Sequence, residues 1–413
     1  MWRRLISDNA ALALQYAANA LLPLLLIPHF VRTLGIDSYG ALAMLVAAAG
    51  FATVVVQYAF QLTAPADYAA LRGGPGARQL FLDVLLARLL LLAGVLGAAL
   101  LLAALVALTA PELPWREALL LLGLPLAAAL NAGWFLQARG RFGLLAVLSI
   151  VAVTAALLIG TLGVDAARPS RPWAAAALAV GPLLLALGSL AWSWRELPAE
   201  PAHWAPHRAW SLLRTSAPTF LSQFVAALYT LAGPLAIGAL SGVRAAGAFS
   251  AIERPAAAVL AALTLSHTAA YPRAAALYAV ADLHAYRTLL RQVLLLYALG
   301  VLALGVLLAV AQPQVLAFLF GAAPPADARA LLWLAYLWIA LGVAGPMLTG
   351  YLTVRGSPGE ILRLTAQVLL VSLPAGLLGA QLWGGAGWLA AAIAGQGLVV
   401  LRGLRAWRML RAA

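Results

Sequence analysis

The chain has no cysteine, which excludes a disulfide framework, a thiol nucleophile and any thiolate-ligated metal. It has no lysine either. All 26 basic residues are arginine, a bias that GC-rich coding explains better than separate selection at each site. Charge of any kind is scarce, at 9% of residues against about 25% in soluble domains. The five histidines (His29, His203, His207, His267 and His284) have no metal-ligand spacing, and no glycine-rich phosphate-binding motif is present, so ATP hydrolysis is not expected. What the chain has instead is apolar surface: 64% hydrophobic residues and a mean hydropathy of +0.96 place most of its length in lipid. The formal charge of +13 does not point to nucleic acid, because no basic stretch is interleaved with aromatics. In a membrane protein such an excess marks loops that face anionic lipid.

A helix needs about 20 apolar residues to cross the hydrocarbon core. Breaking the sequence at its Pro, Gly and charge clusters gives twelve such runs: 9–31, 40–63, 80–108, 117–137, 143–163 and 173–194, then 216–240, 247–272, 288–311, 328–354, 362–383 and 386–402. The first follows Arg3 and Arg4 but is too long for the h-region of a signal peptide, so it is expected to be a membrane helix. With the N-terminus in the cytoplasm, 18 arginines fall on the cytoplasmic side and 6 on the other, leaving Arg88 and Arg254 inside helices. That bias predicts a multi-pass membrane protein with both termini in the cytoplasm. The longest polar connection, from Arg195 to Thr215, contains Pro198, Pro201 and Pro206 and bisects the chain. The expected organisation is an N-terminal lobe at 1–197, a cytoplasmic linker at 198–214 and a C-terminal lobe at 215–413. The expected fold is all-α, with twelve transmembrane helices in two pseudo-symmetric six-helix lobes around a central cavity.

An internal echo supports the symmetry. Gly35 and Gly40 with Ala41 recur 207 residues later as Gly242 and Gly247 with Ala248, and Pro65 recurs as Pro272. Both copies fall on the turn between the first two helices of a half. A second echo, at an offset of 216, joins Arg139-Gly140-Arg141-Phe142-Gly143 to Arg355-Gly356-Ser357-Pro358-Gly359. Six helices per half is an even number, so the repeats run parallel.

Four stretches carry a family likeness. They are Leu21–Gly35 continuing to Tyr39-Gly40, Trp134-Phe135-Leu136-Gln137, Gly247–Arg254 with Tyr271-Pro272-Arg273, and Phe318-Leu319-Phe320-Gly321. In order and spacing they resemble the Wzx-type polysaccharide and O-antigen repeat-unit flippases of the multidrug/oligosaccharidyl-lipid/polysaccharide exporter superfamily. The resemblance implies alternating access through a cationic cavity that turns over an undecaprenyl-pyrophosphate-linked oligosaccharide for O-antigen or exopolysaccharide synthesis. It also implies a polysaccharide polymerase and chain-length proteins as partners. No cofactor is expected, and the superfamily suggests coupling to a proton or sodium gradient. Other exporters of the superfamily, for lipid II or for small molecules and drugs, are the alternative.

Carrying a pyrophosphate past hydrocarbon calls for fixed positive charge, and arginine suits it because its fork matches phosphate oxygens and its charge survives desolvation. Arg88 lies roughly 12 Å inside the third helix; it either lines the cavity or snorkels to the headgroups. Asp83 is badly placed to pair with it. Glu253-Arg254-Pro255 lies inside the eighth helix, where the proline frees the Ala251 carbonyl and Ser250, Ala257, Ala258 and Ala261 leave room. An ion pair with a neighbouring helix is the other reading of these charges. Arg32, with His29 and Asp37, is carried over from the family pattern as a mouth residue; anchoring at the headgroups accounts for it nearly as well. Thr53, Gln57 and Gln61 on the second helix, and Ser216, Thr219, Gln223 and Thr230 on the seventh, form polar stripes that suit sugar hydroxyls or interhelical hydrogen bonds. The chain departs from the family at Ala232-Gly233-Pro234, where an acidic or polar residue is common, so Glu253 or Asp67 is left as the ion-coupling candidate. The position matching Arg254 in the first half is Ala47. A membrane glycosyltransferase, ligase or polymerase would need a long loop or an acid/base cluster, and neither is present.

Overall fold

A computed structural model describes residues 2–71, 75–107, 115–165, 167, 169–354 and 358–412, and among them every regular element is an α-helix. Backbone groups in lipid have no water to bond, so a spanning segment must satisfy them within itself. The first half runs α1 (Trp2–Leu34), α2 (Ile36–Gln57), α3 (Phe60–Ala70), α4 (Ala77–Ala107), α5 (Trp115–Leu121), α6 (Gly123–Leu130), α7 (Gly133–Ala138), α8 (Phe142–Gly163) and α9 (Arg171–Glu196). The second half runs α10 (Pro206–Ser241), α11 (Val243–Ala279), α12 (Leu283–Phe320), α13 (Ala328–Gly342), α14 (Ala344–Val354) and α15 (Pro358–Ala412). Helices α2 and α3 together make the second span, α5 to α7 the fourth, and α13 with α14 the tenth.

By length and composition 11 segments can cross a membrane, and the last of them does so twice. In α15 the backbone leaves the helix at Trp383 and Gly384, the latter with φ 58°. A Cβ added to Gly379 would stand 2.6 Å from the carbonyl oxygen of Gly387. Eight residues of continuous helix would separate those positions by about 12 Å, so the chain reverses there and makes two antiparallel spans. The twelve expected passes are therefore present. Helix α12 covers 283–320 rather than 288–311: a polar first turn extends it at the start, and beyond a kink at Ala311 (φ −111°), two residues before Pro313, a second helical stretch continues to Phe320.

The outer surface is that of a lipid-soluble body. On α12, Leu296, Leu299, Leu302 and Val310 are each more than 60% exposed, a face that only hydrocarbon covers at no cost. The connection between α9 and α10 spans only residues 197–205, since Pro206 starts a helix at its favoured first position. It is tied to the start of α4: Glu200 Oε2 accepts from Gly76 N at 2.8 Å, and Gln79 exchanges hydrogen bonds with the backbone of His203 at 2.9 Å in both directions. Arg208 then pairs with Asp83 at 3.0 Å.

Two compact units emerge from the packing. One comprises 1–22 and 44–231, the other 23–43 and 232–413. The first has a core of Phe60, Phe81, Val84, Trp134, Phe135 and Leu213. The second has one of Tyr286, Leu290, Leu348, Tyr351 and Leu352. Its residues 23–43 bring the first glycine turn against the second. A side chain on Gly40 would collide with the Val243 carbonyl, and one on Gly247 with the Ile36 carbonyl. Asp37 Oδ2 meets Arg244 Nη1 at 3.2 Å across 207 residues of sequence. Ile36 and Val243, Asp37 and Arg244, and Gly40 and Gly247 are all separated by that offset, so each turn touches its own repeat. Contact of this reciprocal kind is what a two-fold relation produces. The turn at Gly140 (φ +70°) closes α7 with Arg141 N bonded to Leu136 O at 2.8 Å; its counterpart at Arg355, Gly356 and Ser357 lies outside the described residues, as do Arg72 and Arg168.

Because the obstacles at Gly40 are backbone atoms, which cannot rotate away, Gly40→Ala is expected to cost about 1–3 kcal/mol. Thermal unfolding of the purified protein in detergent should show a lowered midpoint. Gly97→Ala, whose Cβ would meet nothing within 4 Å, should leave the midpoint unchanged or raise it, since alanine is the better helix former.

Candidate functional site

The fourth span breaks where an asparagine interrupts an apolar run. Asn131 adopts an extended ψ of 108°, and its Oδ1 accepts from Gly133 N at 2.8 Å, turning the chain into α7. Ala132 N is satisfied by Ser189 Oγ at 3.1 Å. The break also frees the Asn131 carbonyl at the negative end of α6, and Arg88 answers it: Nη1 donates to Asn131 O at 2.5 Å. A cation at a helix C-terminus is favourable through the aligned peptide dipoles as well. The guanidinium carbon lies 5.8 Å from the centre of the Phe60 ring. Arg88 is 3% exposed and its Nε has no hydrogen-bond partner. The side chain is held between Phe60 and the fourth-span break.

The second span breaks one residue after Gln57. Tyr58 and Ala59 have φ of 47° and 62°, the left-handed region that costs residues with a Cβ about 1–2 kcal/mol each. Aromatic packing offsets the strain, with Tyr58 stacked on Phe220 at 4.2 Å between ring centres and 12° between planes. Beside the break lies a cavity of about 300 Å³, lined by Val54, Gln57, Ala59, Gln61, Gln223, Ala226, Ala227, Thr230 and Leu231. The three glutamines expected from the polar stripes therefore meet in one place, and none of the lining residues is charged. Gln61 Nε2 donates to Gln57 Oε1 at 3.1 Å. The stripes otherwise divide: Thr53 bonds back to Ala49 O at 2.8 Å, and Ser216 is buried against Thr63.

The remaining predicted residues belong to the second unit, except Asp67, which is exposed on α3. Arg254 Nε lies 3.6 Å from Glu253 Oε2, so these charges pair with each other and not with a neighbouring helix. The pair sits within the electrostatic reach of buried Tyr39, and Ser250, one turn before Arg254, is fully buried with its hydroxyl unpartnered. Arg32 donates through Nε to Pro28 O at 3.1 Å and lies 5.5 Å from the Phe318 ring centre. Two of the stretches that carry the family likeness therefore meet there. A third, Trp134-Phe135-Leu136, is packing: all three side chains are buried.

Asp83, Arg88 and Glu117 are the buried charged residues among those described. Asp83 pairs with Arg208 at 3.0 Å and Glu117 with Arg171 at 3.1 Å. Arg88 bonds a neutral carbonyl, so it is the buried charge left without a counter-ion among the described residues. Sequence reasoning missed Asn131 and the Tyr58–Ala59 break. A lone asparagine followed by Ala-Gly in an apolar run was a readable signal for the first; nothing in Tyr-Ala announces the second.

Comparison with known proteins places this geometry. The profile of the family described as polysaccharide biosynthesis protein matches residues 5–277. No curated protein sequence matches the chain. Among solved structures it is similar to an inward-facing multidrug resistance MATE family transporter of the MOP superfamily, at 16% identity and a TM-score of 0.74 over 95% of both chains. It is also similar to a MOP superfamily transporter from Pyrococcus furiosus described as having a binding pocket of reverse polarity, at 16% identity, a TM-score of 0.62, and 99% and 96% coverage. A third is the lipid II flippase MurJ in an inward closed conformation, at 13% identity, a TM-score of 0.61, and 98% and 87% coverage. At these identities the likeness is one of fold.

Removing Arg88 should uncover the Asn131 carbonyl in a dry core. Arg88→Met is expected to cost about 1–3 kcal/mol, the penalty for an unsatisfied buried acceptor. Arg88→Lys, which keeps a donor and a charge, should recover part of it. Unfolding midpoints of the two variants in detergent, measured side by side, check the order.

Proposed function

This chain belongs to the polysaccharide biosynthesis protein family, and we propose that within it the protein flips undecaprenyl-pyrophosphate-linked oligosaccharide repeat units from the cytoplasmic to the periplasmic leaflet of the inner membrane, by alternating access past internal arginines. The observation that carries this reading is the sign of the buried charge. Asp83 and Glu117 each have an arginine partner, while Arg88 has no carboxylate. Arg254, paired only loosely with its neighbour Glu253 at 3.6 Å, retains donors for a ligand. A transporter of cationic drugs needs the opposite surplus. The pyrophosphate is the anion that guanidinium forks fit, and the polyprenyl tail can stay in lipid throughout.

In this reading residues 1–197 and 215–413 are the two lobes, and both termini are cytoplasmic. Arg254, Arg32 and Arg88 supply the positive field for the head. Of these, Arg88 has its Nη1 already engaged by the Asn131 carbonyl. Glu253 and Asp67 are the acids available for coupling to a proton or sodium gradient. The polymerase and chain-length machinery would receive the product on the far side.

Reconstitution into proteoliposomes with a fluorescent lipid-linked oligosaccharide tests the reading. Protein-dependent transbilayer movement under an imposed proton or sodium gradient is expected, and Arg254→Ala should abolish it while leaving the unfolding midpoint unchanged. Absence of movement under every gradient would overturn the proposal, and movement of lipid II in its place would transfer it to the peptidoglycan precursor.

A further inference from the structure

The cavity of the first unit has a chemistry of its own, distinct from the arginines. Its polar wall consists of three primary amides and one hydroxyl: Gln57, Gln61, Gln223 and Thr230. Because Gln61 donates to Gln57 Oε1, the Gln57 amino group keeps both of its donors and Gln61 Oε1 remains an acceptor. Thr230 donates to Ala226 O at 3.1 Å, so its oxygen is left to accept. Gln223, from α10, offers both kinds of group. The rest of the lining is apolar: Val54, Ala59, Ala226, Ala227 and Leu231.

A wall that presents donors and acceptors together does not suit an ion. An anion would meet amide oxygens with no cation beside them, and a cation would meet amino groups with no carboxylate. A hydrocarbon tail would leave the Gln57 amino group, the Gln61 oxygen and the whole Gln223 amide without partners, at a cost for each. The matching ligand is a neutral polyol with one C–H face, whose vicinal hydroxyls both donate and accept. The volume of about 300 Å³ lies at the lower end of small-ligand sites, sized for sugar units and not for a whole lipid-linked repeat.

We propose that this cavity is a neutral-sugar subsite that takes the glycan end of the transported lipid through Gln57, Gln61 and Gln223, apart from the charged head. The assignment rests on the flippase reading. The break at Tyr58–Ala59 adjoins the cavity, with Ala59 itself in the lining between the two glutamines of the second span. Glycan selectivity then resides in the amides, and head-group recognition in the arginines.

The test compares movement of fluorescent undecaprenyl pyrophosphate with and without a neutral oligosaccharide, for wild type and for the double variant Gln57→Leu/Gln223→Leu. The variant should move the glycosylated lipid about tenfold more slowly, the worth of roughly one lost hydrogen bond, and the bare lipid at the wild-type rate. Retained movement of the bare lipid also shows that the variant is folded. Equal loss for both lipids, or loss for neither, overturns the subsite. If wild type moves neither lipid, the flippase reading falls, and a second measurement decides the subsite alone. Ala226→Cys places a single thiol on the cavity wall of a chain with no cysteine. Maltotriose or chitotriose should slow its labelling by a maleimide whereas inorganic pyrophosphate should not, and an unprotected thiol overturns the proposal.

Discussion

A carbonyl freed within a membrane has no water to turn to, and the first unit is arranged around one such group. Once Asn131 leaves the helix, its C=O must find a donor from another span, and Arg88 is that donor. The same guanidinium lies against Phe60, the first residue after the break in the second span. A single cation on the third span therefore faces both interrupted helices. Burying it without a counter-ion would cost several kcal/mol, offset here by the hydrogen bond, the dipole of α6 and the aromatic face. Interruptions give a membrane protein places for polar chemistry, and they persist only where something pays for the backbone they expose.

The second unit solves a different problem, close approach. The turn before α2 and the turn before α11 meet through Gly40 and Gly247, each occupying the space where the other would place a side chain. Two halves of a repeat that touch along their axis must meet like with like, and only residues without a Cβ permit backbone contact there. The offset of 207 residues seen in the sequence is thus a contact as well as a record of duplication. The Asp37–Arg244 pair that decorates it is about two-thirds exposed on both sides, so it adds little stability of its own. The glycines set the fit.

Much of this was legible without coordinates. Twelve apolar runs became twelve passes because length and hydropathy decide spanning almost alone. The last two spans follow the same logic, since the break expected after residue 383 is where Trp383 and Gly384 bend the chain back on itself, announced by a glycine cluster and not by a proline. The glutamine stripes pointed to a shared surface and the structure gathers three of them into one cavity, because helical period fixes faces even across a broken turn. Arg88 was recognisable as buried but not as a cap, since its partner is a backbone oxygen 43 residues away. Local sequence says which groups need satisfying; only packing says which distant group does it.

The symmetry of the frame and the asymmetry of its chemistry belong together. Arg254 has Ala47 as its counterpart, and that alanine is fully buried, leaving no space for a guanidinium. The amides that line the cavity come from 57, 61 and 223, and adding 207 to the first two leads to Thr264 and Thr268, hydroxyls without the reach of glutamine. A symmetric pair of sites would suit a ligand with two like ends. A lipid pyrophosphate joined to a glycan has one charged end and one neutral end, so a duplicated scaffold that carries it gains from losing equivalence between its halves. On the proposed function, the duplicated turns supply the frame, and divergence supplies arginine for the charged head and amides for the sugar hydroxyls.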